Sequence, residues 1–166
     1  IQVVVVPCGI TAKMSDADTA ALMKSCAEFV DELKAGGVRC HGDYRDNYSP
    51  GWKFNHWELK GVPLRVELGP RDIKQSEFVV VRRDTGEKKS LKRAGAADTV
   101  KSLLKDVQKS LFERANKAMQ SHLAVVKDWT DFCAKLDKNF IIQAPFCLET
   151  PCEELIKKES ARGQDL

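Results

Sequence analysis

Between Asp43 and Asp72 the run DYRDNYSPGWKFNHWELKGVPLRVELGPRD gathers aromatics, carboxylates and cations into one short stretch. The side chains of Phe54, Trp52 and Trp57 offer flat faces on which unpaired bases can stack, a contact contributing roughly 1–3 kcal/mol per base. Carboxylates suit guanine, whose N1 and N2 hydrogens form a donor pair that Glu58 or Asp72 can accept in parallel. Arg65, Arg71 and Lys88 can satisfy O6, N7 or phosphate oxygens. The chemistry on offer is recognition of RNA bases. Two structural alternatives stand beside it: Glu58 and Arg65 form an ordinary ion pair, and the aromatics are core. Core packing is expected of Trp57 and part of Trp52, with Phe54 the expected exposed platform.

The elements that must position these groups follow from local signals. Ser49 caps a helix whose first turn starts at Pro50, because the Ser oxygen takes an orphan amide and Pro has none to orphan; Gly61 suits the exit. After Pro63 the pattern changes to period two, with Leu64, Val66 and Leu68 on one side and Arg65 and Glu67 on the other. That is a strand, stopped by Gly69 and Pro70. Glu58 near the helix end, Arg65 in mid-strand and Asp72 just past it therefore converge on one edge of a sheet.

The rest of the chain supplies a frame. Ile1 to Val6 is β-branched and unbroken, as in a strand buried on both faces. Ser15 caps a helix carrying Leu22, Cys26, Phe29, Val30 and Leu33 at helical spacing, ended by Gly36 and Gly37. Val38 to Asp43 reads as a second strand, so strand, helix, strand gives a parallel pairing through a right-handed crossover. Pro70 to Ser76 reads as a turn or single helical turn. Phe78 to Arg83 and Lys88 to Leu91 flank the turn chemistry of Asp84 to Glu87 as a hairpin. Lys92 to Ala97 reads as a linker, and from Asp98 a long helix runs to about Gln120. Beyond it, Asp128 to Leu136 is a short helix with Trp129, Phe132 and Leu136 inward, Phe140 to Ala144 a strand, and Cys152 to Ala161 a polar helix. The expected fold is α/β: a mixed, mostly parallel sheet of about five strands with helices on both faces, then a long helix and a small α+β extension. The expected division is 1–97, a connecting helix 98–121, and 122–166.

Composition narrows the function classes. The net charge is +3, yet residues 45–93 carry 12 Lys or Arg against 7 Asp or Glu, a basic centre with interleaved aromatics that fits a polyanion such as RNA. Val3 to Val6, the one long apolar run, is too short to span a bilayer. Six cysteines without regular spacing and without a secretory leader point to thiols and a cytoplasmic setting. The chain, which starts at Ile1, is expected to be a piece of a longer protein. Cys8, after a strand and before Gly9, sits where some α/β enzymes hold a nucleophile, but His41, His56 and His122 form no pattern with it. Its expected role is a packed thiol.

The run GWKFNHWELKGVPLRVELGPRD, with RDNYSP before it and VVVRRDTGEK after it, resembles the anticodon-binding domain of the eukaryotic and archaeal-like prolyl-tRNA synthetases. The likeness extends to PFC at Pro145 to Cys147, Cys152 and the closing SARGQDL, which resemble that family's C-terminal extension. What the resemblance implies is a grip on the anticodon arm of tRNA(Pro), whose second and third anticodon positions are guanine. Base contacts are carried to Phe54, Glu58, Arg65, Asp72 and Lys88, with Lys89 as an alternative to Lys88, and a phosphate contact to Arg71. The parent it implies uses ATP and Mg to join proline to its tRNA and is a homodimer through other domains. The ATP-binding domain of class II synthetases does not fit in these residues, so the expectation for this chain is tRNA binding without catalysis. The extension it implies is a zinc-binding module with four thiolates. Cys147 and Cys152 are a half-site, since this sequence carries no later pair. The other classes left open are the anticodon domain of a sister synthetase, a protein-interaction module on the same fold, and last a small thiol enzyme.

Overall fold

The centre of the sheet is β1 (Val3–Pro7), all five of whose residues are buried. In this computed structural model, which describes residues 1–161, Val3 and Val5 face one apolar cluster, and Val4 and Val6 face another. A strand buried on both faces needs helices on both sides, and the chain provides them. The first cluster is closed by α1 (Asp16–Ala35) through Leu22, Cys26, Phe29, Val30 and Leu33, the residues expected from the helical period. Ser15 accepts the Asp18 amide at its N-cap. The second cluster is closed by α2 (Pro50–Leu59) through Trp57, with Val62 beside it.

Around β1 the strands are β2 (Cys40–Gly42), β3 (Leu64–Leu68), β4 (Glu77–Arg82) and β5 (Lys88–Lys92), in the order β2-β1-β3-β4-β5. The pairs β1–β2 and β1–β3 are parallel, whereas β3–β4 and β4–β5 are antiparallel. The sheet is thus evenly mixed rather than mostly parallel. Between β3 and β4 lie only the five-residue α3 (Pro70–Lys74) and a short link, too little chain for a crossover, so β4 must return beside β3. The hairpin at Asp84 to Glu87 then reverses it again.

The long helix α4 (Ala96–Ser121) begins two residues before Asp98, burying Ala96, Val100 and Val107, so the expected linker is short. The chain divides into two compact units, Ile1–Leu111 and Phe112–Leu166, and α4 runs through the division. In the second unit β6 (Leu123–Val125) pairs parallel with β7 (Ile141–Gln143), joined by α5 (Trp129–Leu136), whose N-cap Asp128 accepts the Asp131 amide at 2.8 Å. The strand β6 is unannounced by the sequence, because three residues carry no period. Trp129 and Leu136 are exposed rather than inward, and Trp129 stacks on Phe132. A last helix, α6, spans Thr150–Ser160. Of the closing SARGQDL, residues 162–166 lie outside the described residues.

Candidate nucleic-acid interface

Helix α2 holds the interface in place. Ser49 Oγ accepts the Trp52 amide, Pro50 opens the first turn, and Gly61 leaves the helix in the left-handed region at φ +77°. Two of its side chains point inward. The Trp57 indole donates to Asp43 Oδ2 at 2.8 Å and the Lys53 ammonium to the Asp43 carbonyl at 3.2 Å. Arg45 adds two bonds to the same carboxylate, at 2.8 and 2.6 Å. These bonds hold Asp43 well below the ordinary carboxylate range, with the Arg45 guanidinium the largest cause, against the opposing effect of burial.

With Trp57 and Lys53 inward, the i, i+4 pair Phe54 and Glu58 falls on the flank toward β3. Arg65 lies with its guanidinium 4.1 Å from the Phe54 ring centroid and is paired with Glu58 and, at 3.2 Å, with Glu67. Glu67 in turn accepts from Lys88 at 2.6 Å. The register explains the reach: Arg65 is opposite Val81, and Val81 is opposite Lys88, so a single cross-strand row carries both cations. Phe54, Glu58, Arg65 and Lys88 are thereby brought into one contact chain. Its missing link in the sequence reading is Glu67, whose alternation with Arg65 along the strand was the available signal.

The other expected site residues are Asp72 and Arg71, and Asp72 acts on the Cys8 thiol together with Glu67, Lys88 and Arg65. Asp72 Oδ2 accepts the Gly69 amide at 2.8 Å, closing the first turn of α3. Arg71 is exposed on the same short helix. Phe54, Glu58 and Arg65 share one small cleft. The cleft among them, completed by Trp57, Val81 and Arg83, has a volume of about 10 Å³, room for about one water.

The exposed aromatic surface also differs from expectation. Phe54 is half-buried under Arg65, while Trp52 is 41% exposed, stacked between Tyr48 at 3.9 Å and His56 at 4.8 Å. Position 52 points along the flank of α2 opposite Phe54, where Tyr48, one turn earlier, meets it instead of the core.

Cys8 is packed beside the second apolar cluster, and burial, then Glu67, push its thiol up to about 11. A thiol held in that range is protonated at neutral pH, in keeping with a packed thiol. Cys147 lies just before α6 and Cys152 within it, and the Cys147 thiol is held below its ordinary range by the Glu149 amide first and by the neighbouring Cys152 second. Among the described residues no group of three or more His, Cys, Asp or Glu is placed to hold a metal ion. Among them, too, no helix is long and apolar enough to cross a membrane.

A charged row of Arg65, Glu67 and Lys88 beside the aromatic helix α2, on a mixed five-stranded sheet, describes an α/β domain with one clustered polar surface. Residues 2–103 match the anticodon binding domain family, and the chain belongs to it. It is 52% identical over 165 residues to the bifunctional glutamate/proline–tRNA ligase of Drosophila melanogaster, covering 99% of this chain and 10% of that protein. Its counterpart in Mus musculus is 50% identical over 166 residues, covering 100% of the chain and 11% of the relative. The cytoplasmic proline–tRNA ligase of Arabidopsis thaliana is 39% identical over 157 residues, 95% of the chain and 29% of the relative. The chain thus spans about a tenth of the bifunctional relatives' length.

Proposed function

We propose that this chain reads the two adjacent guanines in the anticodon of tRNA(Pro), as one domain of a longer, cytoplasmic proline–tRNA ligase. The observation that carries the proposal is the chain of contacts from Phe54 through Arg65, Glu58 and Glu67 to Lys88, beside α2 in an anticodon-binding fold. Glu58 accepts the guanine N1 and N2 hydrogens once Arg65 lets go of it. Arg65 and Lys88 then turn to base acceptors or phosphate, Phe54 stacks, and Asp72 and Arg71 meet the neighbouring nucleotide. ATP, Mg and the ester-forming step belong to parts of the parent outside this chain, as does its dimerisation. Two thiolates, Cys147 and Cys152, do not complete a tetrahedral zinc set, and no zinc-dependent step is assigned.

The test is anisotropy titration of anticodon stem-loops for proline, threonine and histidine at fixed salt. The Glu58→Ala variant should lose roughly 1–3 kcal/mol on the proline stem-loop and little on one lacking both guanines. Equal losses on both RNAs refute base reading by Glu58. A wild-type chain with no preference among the three anticodons refutes the function and favours a protein-interaction module.

A further inference from the structure

At the end of the sheet where β1 and β3 begin, a groove of about 590 Å³ opens between the exit of α1, the link from α2 to β3, the end of β4 and the early turns of α4. Its floor is apolar, with Val38, Pro63 and Leu104. Its charged lining is Arg39, Arg83, Lys101 and Lys105, with no Asp or Glu among the lining residues.

These cations differ from most others in the same unit. Arg45 is paired with Asp43, Arg65 with Glu58 and Glu67, Arg82 with Asp84, and Arg93 with Glu32. Lys101 leans on the exposed Asp98 at 3.2 Å. By contrast Arg39, Arg83 and Lys105 are exposed and have no ion-pair partner among the described residues. Unneutralised cations collected around one concavity mark a place for an anionic partner.

One residue ties the groove to the interface. Arg83 lines this groove and also the small cleft beneath Phe54, Glu58 and Arg65. We propose that Arg83, Arg39 and Lys105 form a track for the sugar-phosphate backbone of the bound RNA, leading from the base-reading cluster into the groove. The proposal rests on the anticodon-reading function above and adds contacts that carry no sequence information. Phosphate contacts fix register, whereas Glu58 supplies the choice of base.

The experiment compares the wild-type chain, Arg83→Gln, the double variant Arg39→Gln/Lys105→Gln, and Glu58→Ala on the proline stem-loop and on a stem-loop with both guanines replaced by adenine, across a salt series. Neither Arg39 nor Lys105 touches Glu58 or Arg65, and all three substituted cations are exposed, so the fold is retained; thermal melts check this. Each phosphate contact on single-stranded RNA contributes about 0.7 to the slope of log affinity against log salt, or about fourfold in affinity at 0.15 M. The double variant should therefore lose about fifteenfold on both stem-loops alike and flatten the slope by about 1.4. Arg83→Gln should lose about fourfold.

An unchanged slope in the double variant overturns the track, even if Glu58→Ala abolishes the guanine preference and anticodon reading stands. A flattened slope with no guanine preference in the wild type supports the track and sinks base reading alone. Failure of the wild type to bind either RNA sinks both. Displacement of a polyglutamate peptide by these substitutions, with RNA binding untouched, overturns the track in favour of an acidic protein partner.

Discussion

Removing one carboxylate should loosen the whole of α2. Asp43 is the hub: its side chain is 1% exposed, and it accepts from Trp57 Nε1 at 2.8 Å and from Arg45 at 2.8 and 2.6 Å. In Asp43→Ala, Lys53 keeps its bond, because it donates to the backbone carbonyl. Arg45, 39% exposed, turns to water, so the lost ion pair costs at most about 1 kcal/mol. The Trp57 indole has no such escape, because the residue is only 8% exposed, and a buried donor left unpaired costs about 1–3 kcal/mol. The sum is a loss of about 1–4 kcal/mol at pH 7, read by urea unfolding with tryptophan fluorescence. A pH series separates the charge from the packing. Asp43 is held below its unfolded value of about 3.9, so its contribution is fully present above that pH and is lost as pH falls toward the folded value. Wild type should show this acid-side loss, and the variant should lack that share of it. A variant within about 0.5 kcal/mol of wild type at pH 7, or one with the same acid slope, refutes the hub.

Two further outcomes test the frame around the site. In Gly36→Ala the new methyl would overlap Ala97 Cβ at ordinary φ, forcing α1 and α4 apart; the expected cost is about 1–3 kcal/mol by urea titration, and a neutral effect refutes close packing there. On the alkaline side, burial pushes the thiols of Cys26 and Cys40 up to about 12, so their contribution is intact below the unfolded value of about 8.5 and is lost as pH rises toward 12. By pH 9.5 each should cost about 1.4 kcal/mol, and a flat profile between pH 8.5 and 10 refutes it.

What was legible in the sequence was whatever a local rule could encode. Ser15 and Ser49 fixed two helix starts, and Leu22, Cys26, Phe29, Val30 and Leu33 are buried as their spacing requires. The alternation from Leu64 to Leu68 put Arg65 and Glu67 outward together. The illegible part depended on neighbours from elsewhere in the chain. The fate of Trp52 was decided by Tyr48 and His56 stacking on it, and that of Phe54 by Arg65 lying over its ring. The direction of β4 depended on how short α3 is. Asp43 gave no sign of its role, since a carboxylate at a strand end is ordinarily solvated, and only the fold brings Trp57 and Arg45 to it.

The engaged state of Arg65 bears on how a guanine reader could discriminate. In the free chain the Glu58 carboxylate is half exposed and already has a partner, so its pair with Arg65 is worth about 1 kcal/mol or less. In the proposed reading a base that takes Glu58 gives that up. Guanine returns two parallel hydrogen bonds to a carboxylate, each stronger than a neutral pair. Adenine offers a single donor, its N6 amino group, on that edge and sets its N1 acceptor against the carboxylate, at a cost of about 1–3 kcal/mol. A preformed empty groove would lack this toll on the wrong base. By the same logic Glu67 matters although it touches no base in the proposal. It keeps Arg65 and Lys88 tethered while Glu58 is withdrawn, so the cations stay on the sheet face where a phosphate or O6 can reach them. Under the proposed reading, discrimination would come from exchanging partners within a cluster that only the wrong base leaves unpaired.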